Sequence, residues 1–178
     1  MVMDWALRSG CLPDSQFGFI PKRSTLQAAF LLSHCINVAR HRRVPLFAAF
    51  IDFQAAYDSV DRGHLFSHLS ALGLPEPLLA TIHNIYEGDL YVLIDGDKVV
   101  QVQPSKGVKQ GCLLNPTLFT MFISDLPTAL RRDDPTVGAC TADPHLYAPD
   151  EEMADDLALL ANLAANLRLF LLLLRIYT

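Results

Sequence analysis

Three aspartates are the residues of this sequence best suited to metal chemistry. Asp52 ends a short apolar run, and Asp155 and Asp156 form an acidic pair set in apolar sequence. Burying two like charges side by side is costly unless a cation compensates them, although an isolated Asp-Asp pair is more often a turn or a helix cap. Mg²⁺ prefers carboxylate oxygens, and two such ions about 3.5–4 Å apart can clamp the oxygens of a phosphoryl transfer. If the strand that ends at Asp52 pairs beside the doublet, a magnesium site is expected there.

Four segments that must position these residues carry helical periodicity. The first follows Ser24, the second stops at Gly73, the third opens at Pro75 and the fourth begins at Asn115. Each of these boundary residues is a common helix start or stop. The apolar face of the first helix is Leu26, Ala29, Phe30, Ser33 and Ile36. The apolar stretch 157–174 is predicted as a buried helix, because its two asparagines and one arginine make a membrane span the poorer interpretation.

Strand signals lie between these helices. The apolar run 46–51 is typical of a strand buried on both faces. Residues 91–102 predict a hairpin, since Asp95-Gly96 is a strong tight-turn signal between two β-rich runs. Helices and strands alternate without a regular βαβ order, which favours an α+β fold with helices covering one side of a sheet.

Composition bounds the class of protein. With 178 residues, 51% of them hydrophobic, the chain suits one ordered domain. The net charge of −5 is unusual for a nucleic-acid enzyme, although basic residues cluster at 22–23 and 40–43. The four cysteines lack zinc-ligand or disulfide-framework spacing, and the N-terminus lacks a signal-peptide pattern. An intracellular protein of the nucleus or cytoplasm, not secreted and not in a membrane, is expected.

Four motifs occur in one order along the chain. Residues 16–25 (QFGFIPKRST) resemble the fingers motif of reverse transcriptases of the non-LTR retrotransposon and group II intron type. Residues 50–60 (FIDFQAAYDSV) resemble motif A of that family, residues 106–116 (KGVKQGCLLNP) motif B, and residues 153–156 (MADD) motif C. The resemblance covers the chain from residue 16 to about residue 160 and implies an RNA-directed DNA polymerase.

The resemblance implies roles for the three aspartates, which bind metal, and for Tyr57, which lies beneath the sugar. Asp52 and Asp155 bind two catalytic Mg²⁺ ions, with Mn²⁺ as an alternative, and Asp156 supports the site. Tyr57 lies beneath the incoming sugar, where a flat ring excludes a 2′-hydroxyl and selects deoxynucleotides; without motif A it reads as a plain core aromatic.

The remaining implied contacts are to the incoming nucleotide. Arg23 holds its triphosphate through bidentate bonds, with Lys22 as a weaker candidate. Gln110 contacts the nucleotide or the template base, while Gly107 and Gly111 let the backbone approach closely. A plain glycine turn into the following helix is the alternative for this segment.

The resemblance also implies an architecture and partners. The fold is α+β, a polymerase palm whose antiparallel sheet packs on helices, with part of the fingers and without the thumb. Within a single domain 1–178, residues 1–45 belong to the fingers, 46–165 to the palm and 166–178 to a truncated tail. The partners are an RNA template, a DNA primer and dNTPs, with thumb and endonuclease segments encoded in flanking sequence.

Three positions depart from the family pattern. Ile20 stands where an arginine is common, and Met153 replaces an aromatic residue. Residues 149–152 (PDEE) read as an insertion before the acidic doublet, and an insertion in a strand can redirect side chains or break the pairing. A catalytically inactive remnant that at most binds nucleic acid therefore stays open, and an unrelated carboxylate-metal hydrolase explains the aspartates but not Tyr57 or Gln110.

Overall fold

The computed structural model describes residues 1–96, 98–109, 111–126, 128–129, 151–153 and 156–161, with the backbone alone for 51–52 and from 151 onward. Its helices are α1 (Val2–Ser9), α2 (Thr25–Arg42), α3 (Ala56–Ser59), α4 (Arg62–Ala71), α5 (Glu76–Glu87) and α6 (Asn115–Phe122). Its strands are β1 (Phe47–Asp52), β2 (Tyr91–Asp95), β3 (Lys98–Val102), β4 (Glu151–Met153) and β5 (Asp156–Ala161). The chain forms two compact units, which are described separately.

The first unit contains Met1–Cys11 and Ala55–Phe122. Helix α4 packs against α5 and α6, and α1 packs against α6. Leu65, Leu69 and Leu118 are fully buried, as the leucine spacing of the sequence predicts. The β2–β3 hairpin also forms where the Asp-Gly signal predicts it, with Gly96 at a φ of +58° in the turn.

Helix α4 ends at the predicted glycine. Gly73 has a φ of +83°, its N–H donates to the Ser70 carbonyl oxygen at 2.9 Å, and the Leu74 N–H donates to the Leu69 carbonyl oxygen at 3.1 Å. These two bonds form a Schellman motif, which satisfies carbonyl groups that the helix end leaves open. Pro75 then directly precedes α5.

The second unit contains Leu12–Gln54 and Ile123–Thr178. Its antiparallel sheet has the strand order β1-β5-β4. Helix α2 begins after Ser24, whose backbone N–H donates to the Gln27 side chain at 2.8 Å, and its last turn carries Arg40, His41 and Arg42. The predicted start and basic end of this helix are therefore confirmed.

Burial in the second unit differs from the sequence prediction. The predicted apolar face of α2 is exposed, with Leu26 at 77% and Phe30 at 68%, while the buried positions are Ala28, Cys35 and Ala39. Small residues give this helix its buried stripe. Strand β1 is also not buried on both faces, because it lies at one edge of the sheet and Phe50 is 71% exposed.

The predicted helix after the acidic doublet is wrong at its start. Residues 156–161 form strand β5, which pairs with β1 from Phe47↔Ala161 to Asp52↔Asp156. Leu and Ala have high helix propensity, but pairing with a neighbouring strand overrides this weak local preference. The remainder of the predicted helix lies outside the described residues. Among the helices that the structure describes, none is long and apolar enough to cross a membrane.

Candidate active site

The strand register brings two of the three predicted aspartates together. Asp52 is the last residue of β1, Asp156 is the first residue of β5, and the antiparallel register makes them direct partners. Directly opposed residues of an antiparallel pair have Cα atoms about 4.5–5.5 Å apart. Strand β4 pairs with β5 on its other side, with Met153 also opposite Asp156. The pairing that the inserted segment put at risk is therefore present for the described residues.

Two predicted site residues, Asp155 and Gln110, lie outside the described residues, as do residues 149 and 150 of the apparent insertion. Within the ranges that the structure describes, no group of three or more His, Cys, Asp and Glu side chains could hold a metal ion. The backbone pairing of Asp52 with Asp156 is thus the structural basis for considering a metal site.

Arg23, the predicted triphosphate ligand, bonds to its own loop. One guanidinium nitrogen donates to the carbonyl oxygens of Pro13 at 2.6 Å and Gln16 at 2.7 Å, and another donates to the Asp14 carboxylate at 3.1 Å. The neighbouring Lys22 is exposed, with a φ of +68°. Arg23 also borders an open cleft of about 650 Å³, whose other lining residues are Asp14, Phe17, Leu26, Gln27, Phe30 and Leu31. Arg23 therefore stabilises the conformation of its own loop through these three hydrogen bonds.

Tyr57 lies in the first unit beside the loop 104–109. Its ring packs against that of Phe119, with centroids 4.8 Å apart and planes at 32°. The Tyr57 carbonyl oxygen accepts from the Val108 N–H at 2.9 Å, and the Val60 carbonyl oxygen accepts from the Gly107 N–H at 2.8 Å. The second half of motif A and the start of motif B are therefore joined by backbone hydrogen bonds.

Gly107 makes the close approach predicted for this loop, but to the chain itself. A Cβ placed on Gly107 would lie 3.2 Å from the Asp58 carbonyl oxygen and 3.3 Å from the Asp58 Cα, at a φ of +83°. Gly111 has the same φ, yet no atom of the described residues lies within 4 Å of the corresponding Cβ position. Only glycine adopts both the backbone angle and the spacing at position 107 without strain.

A buried ionic network beside this loop is absent from the sequence prediction. Its centre is Arg62, whose side chain is 8% exposed and pairs with Asp89, 13% exposed, at 2.8 Å. The Lys109 ammonium contacts the other Asp89 oxygen at 2.9 Å. Burial raises the pKa of Asp89, and the bonds from Lys109 and Arg62 outweigh it and hold that pKa below its ordinary value. No sequence signal identifies this network, because the partners are 27 and 20 residues apart.

Tyr86 forms the other wall of the network. The Arg62 guanidinium lies 4.9 Å from the centre of its ring, and the Lys109 ammonium lies 5.7 Å from it. The Tyr86 hydroxyl donates to the Asn115 side-chain oxygen at 2.8 Å at the start of α6. Burial raises the pKa of Tyr86, which keeps the hydroxyl protonated as a donor.

Solved structures share the fold of this chain. An apo telomerase from Candida tropicalis aligns with a TM-score of 0.62 and 11% identity, over 94% of this chain and 33% of that one. A telomerase from Candida albicans aligns with a TM-score of 0.57 and 14% identity, over 98% of this chain and 31% of that one. The fold is accordingly α+β and palm-like, with helices and antiparallel strands, and the predicted fold class is confirmed.

Comparison of the sequence with protein families identifies the family of this chain. The model of the reverse transcriptase (RNA-dependent DNA polymerase) family matches residues 3–167, and the chain belongs to that family. The RNA-directed DNA polymerase from mobile element jockey of Drosophila melanogaster is 31% identical over 66% of this chain. The probable polymerase from transposon BS is 30% identical over 84%, and the Pol polyprotein of element R2DM is 29% identical over 88%, both from the same fly. The chain spans 13%, 16% and 14% of these relatives.

Proposed function

We propose that this chain forms the polymerase site of a retrotransposon reverse transcriptase and extends a DNA primer along an RNA template. Residues 1–45 contribute to the fingers, 46–165 form the palm, and 166–178 are a tail. The relatives named above are polymerases of mobile elements, and the chain corresponds to a portion of each. RNA template, DNA primer and dNTPs are the partners, and further segments such as a thumb and an endonuclease are encoded in flanking sequence.

The observation that carries this proposal is the register of β1 and β5. It sets Asp52 directly opposite Asp156. Like charges at directly opposed positions destabilise a sheet, and Asp155 adds a third carboxylate next in sequence. A site that concentrates negative charge in this way is stabilised by bound divalent cations.

The donor chemistry fits magnesium. Asp52, Asp155 and Asp156 supply oxygen ligands alone, which Mg²⁺ prefers, and Mn²⁺ accepts the same set. A pair of bound ions neutralises the charge that develops on the transferring phosphoryl group. We assign metal coordination to Asp52 and to both carboxylates of the doublet, Asp155 and Asp156.

Other side chains would orient the nucleotide. The Tyr57 ring packs against that of Phe119, and in the proposed site it would lie under the sugar and exclude a 2′-hydroxyl. Gln110 and Gly111 would contact the nucleotide or template base from the segment that follows residues 104–109. Holding the primer 3′-hydroxyl in line with the α-phosphate is the larger part of the catalysis expected of such a site.

The fingers loop would contribute the triphosphate contacts. Arg23 lies at the rim of the cleft of about 650 Å³, and its guanidinium can donate more bonds than the three that it makes within its loop. Lys22 is a second, exposed cation beside it.

The proposal is tested by primer extension with the 178-residue chain on an RNA template, with Mg²⁺ and dNTPs. Wild-type protein is compared with Asp52→Ala and with Glu76→Ala, an exposed carboxylate of α5 that serves as a matched control. Incorporation is expected from wild type and Glu76→Ala and to fall by at least about 10³-fold in Asp52→Ala, since a metal ligand is worth several kcal/mol of transition-state stabilisation. Equal incorporation by all three proteins refutes the role of Asp52. No incorporation by wild type leaves the alternative of an inactive remnant.

A further inference from the structure

The loop 104–109 is held by one buried side chain. The guanidinium of Arg62 donates from Nε to the Gly107 carbonyl oxygen at 2.8 Å and from Nη1 to the Pro104 carbonyl oxygen at 3.0 Å. Its Nη2 pairs with Asp89 at 2.8 Å. A planar guanidinium has five donors in a fixed fork, whereas an ammonium has three donors and cannot reproduce that arrangement. Arg62 therefore connects two carbonyl groups of this loop, those of Pro104 and Gly107, to Asp89.

The same loop bonds to the backbone that carries Tyr57. The Val108 N–H donates to the Tyr57 carbonyl oxygen, and the Gly107 N–H donates to the Val60 carbonyl oxygen. The Gly107 peptide is thus held from two sides, by Val60 at its N–H and by Arg62 at its carbonyl. A shift of the loop would change the distance between Tyr57 and the residues that follow Lys109.

Charge balance explains why an arginine can be buried here. Asp89 offers one carboxylate oxygen to Arg62 and the other to Lys109, and the Lys109 ammonium also donates to the Ile85 carbonyl oxygen at 3.0 Å. A buried charge is tolerated only when such partners satisfy it. Lys109 itself belongs to the loop, so the network ties the loop to the end of α5 by a second route.

From this geometry we propose that Arg62, paired with Asp89, is a positioning residue that fixes the loop 104–109 against the Tyr57 segment and thereby sets the width of the deoxynucleotide site. The inference rests on the proposed function. Arg62 would act without touching the nucleotide, through its hydrogen bonds to the loop 104–109.

The first test measures amide hydrogen exchange and does not depend on activity. Arg62→Lys keeps the charge and loses the fork, so protection of the Gly107 and Val108 amides is expected to fall roughly tenfold, with the Ile82 amide in α5 unchanged. Arg8→Lys is the matched control, because Arg8 is exposed and its Nε donates to the Asp4 carbonyl oxygen of its own helix. Unchanged protection at both loop amides, or an equal loss at Ile82, overturns the inference.

The second test measures the ratio of kcat/KM for a dNTP to that for the matching rNTP. This ratio is independent of the fraction of folded enzyme, so a purely structural role of Arg62 leaves it unchanged. Arg62→Lys and the isosteric Asp89→Asn are each expected to lower the ratio about tenfold. An active wild type with unchanged ratios in both variants overturns the inference. An inactive wild type refutes the proposed function instead, and loop positioning is then decided by the exchange experiment.

Discussion

Replacing Gly107 by alanine should destabilise the first unit more than the same replacement at another left-handed glycine. Gly107 and Gly73 both have a φ of +83°, so alanine at either position carries the same conformational cost, roughly 1–2 kcal/mol. The two sites differ in their surroundings. At Gly107 the new Cβ meets the Asp58 backbone at 3.2 and 3.3 Å, whereas at Gly73 none of the residues that the structure describes has an atom within 4 Å.

Close approach to backbone atoms adds to the conformational cost because neither segment can move away easily. The 104–109 loop is fixed by Arg62, and an overpacked site of this kind costs about 1–3 kcal/mol. The total expected for Gly107→Ala is therefore about 2–5 kcal/mol, against about 1–2 kcal/mol for Gly73→Ala.

Urea unfolding of wild type and both variants measures this difference. The free energy of unfolding is extrapolated linearly to water, and the m-values of the three proteins are compared to establish that the denatured states are alike. Losses that agree within about 0.5 kcal/mol for the two variants would refute the assigned approach of Gly107 to Asp58.

Two further perturbations probe the buried network. Tyr86→Phe removes the donor to the Asn115 side-chain oxygen, and the Asn115 amide nitrogen already has no partner among the described residues, so urea unfolding should show a loss of about 1–3 kcal/mol; an unchanged midpoint contradicts the bond. Because the pKa of Asp89 is held below its ordinary value of 3.8, its ion pairs stabilise the fold above that pH and are lost as the pH falls through the lower, folded-state pKa. Asp89→Asn should therefore be less stable than wild type at pH 7, with a difference that shrinks below about pH 4; a difference independent of pH contradicts the assignment.

Local signals in the sequence predict much of the first unit. Gly73 ends α4 and Asn115 begins α6 where their capping preferences indicate, and the Asp95-Gly96 turn defines the hairpin. These features depend on residues within a few positions of each other. Helix α1 was not predicted, although Gly10, with a φ of +68°, caps its end.

Long-range contacts account for the errors and the omission. Residues 157–161 have helical propensity, and only their pairing with β1 makes them a strand. The exposed face of α2 has the more apolar residues, so hydrophobicity alone selects the wrong side of the helix. Arg62 and Asp89 meet because two helices fold back on each other, which no local pattern encodes.

Part of the candidate site could likewise be predicted from the sequence, and part of it appears only in the fold. Motif resemblance identifies Asp52 and the doublet in the sequence, and the register that opposes Asp52 to Asp156 appears only in the fold. The roles of Arg23, Lys22, Tyr57, Gln110 and Gly111 remain predictions. The structure adds that Arg23 also bonds to its own loop and that the Tyr57 segment is tied to loop 104–109.

The metal site at the paired strands is tested most directly by a Mn²⁺ titration followed by electron paramagnetic resonance, with wild type, Asp52→Asn, Asp156→Asn and the control Glu76→Gln. If the paired strands hold divalent cations between them, wild type and Glu76→Gln bind Mn²⁺ alike, and each of the two asparagine variants weakens the Kd by about tenfold or more, or about 1.4 kcal/mol. Binding by both asparagine variants that equals wild type, or no binding by wild type at millimolar Mn²⁺, would contradict a shared metal site at Asp52 and Asp156.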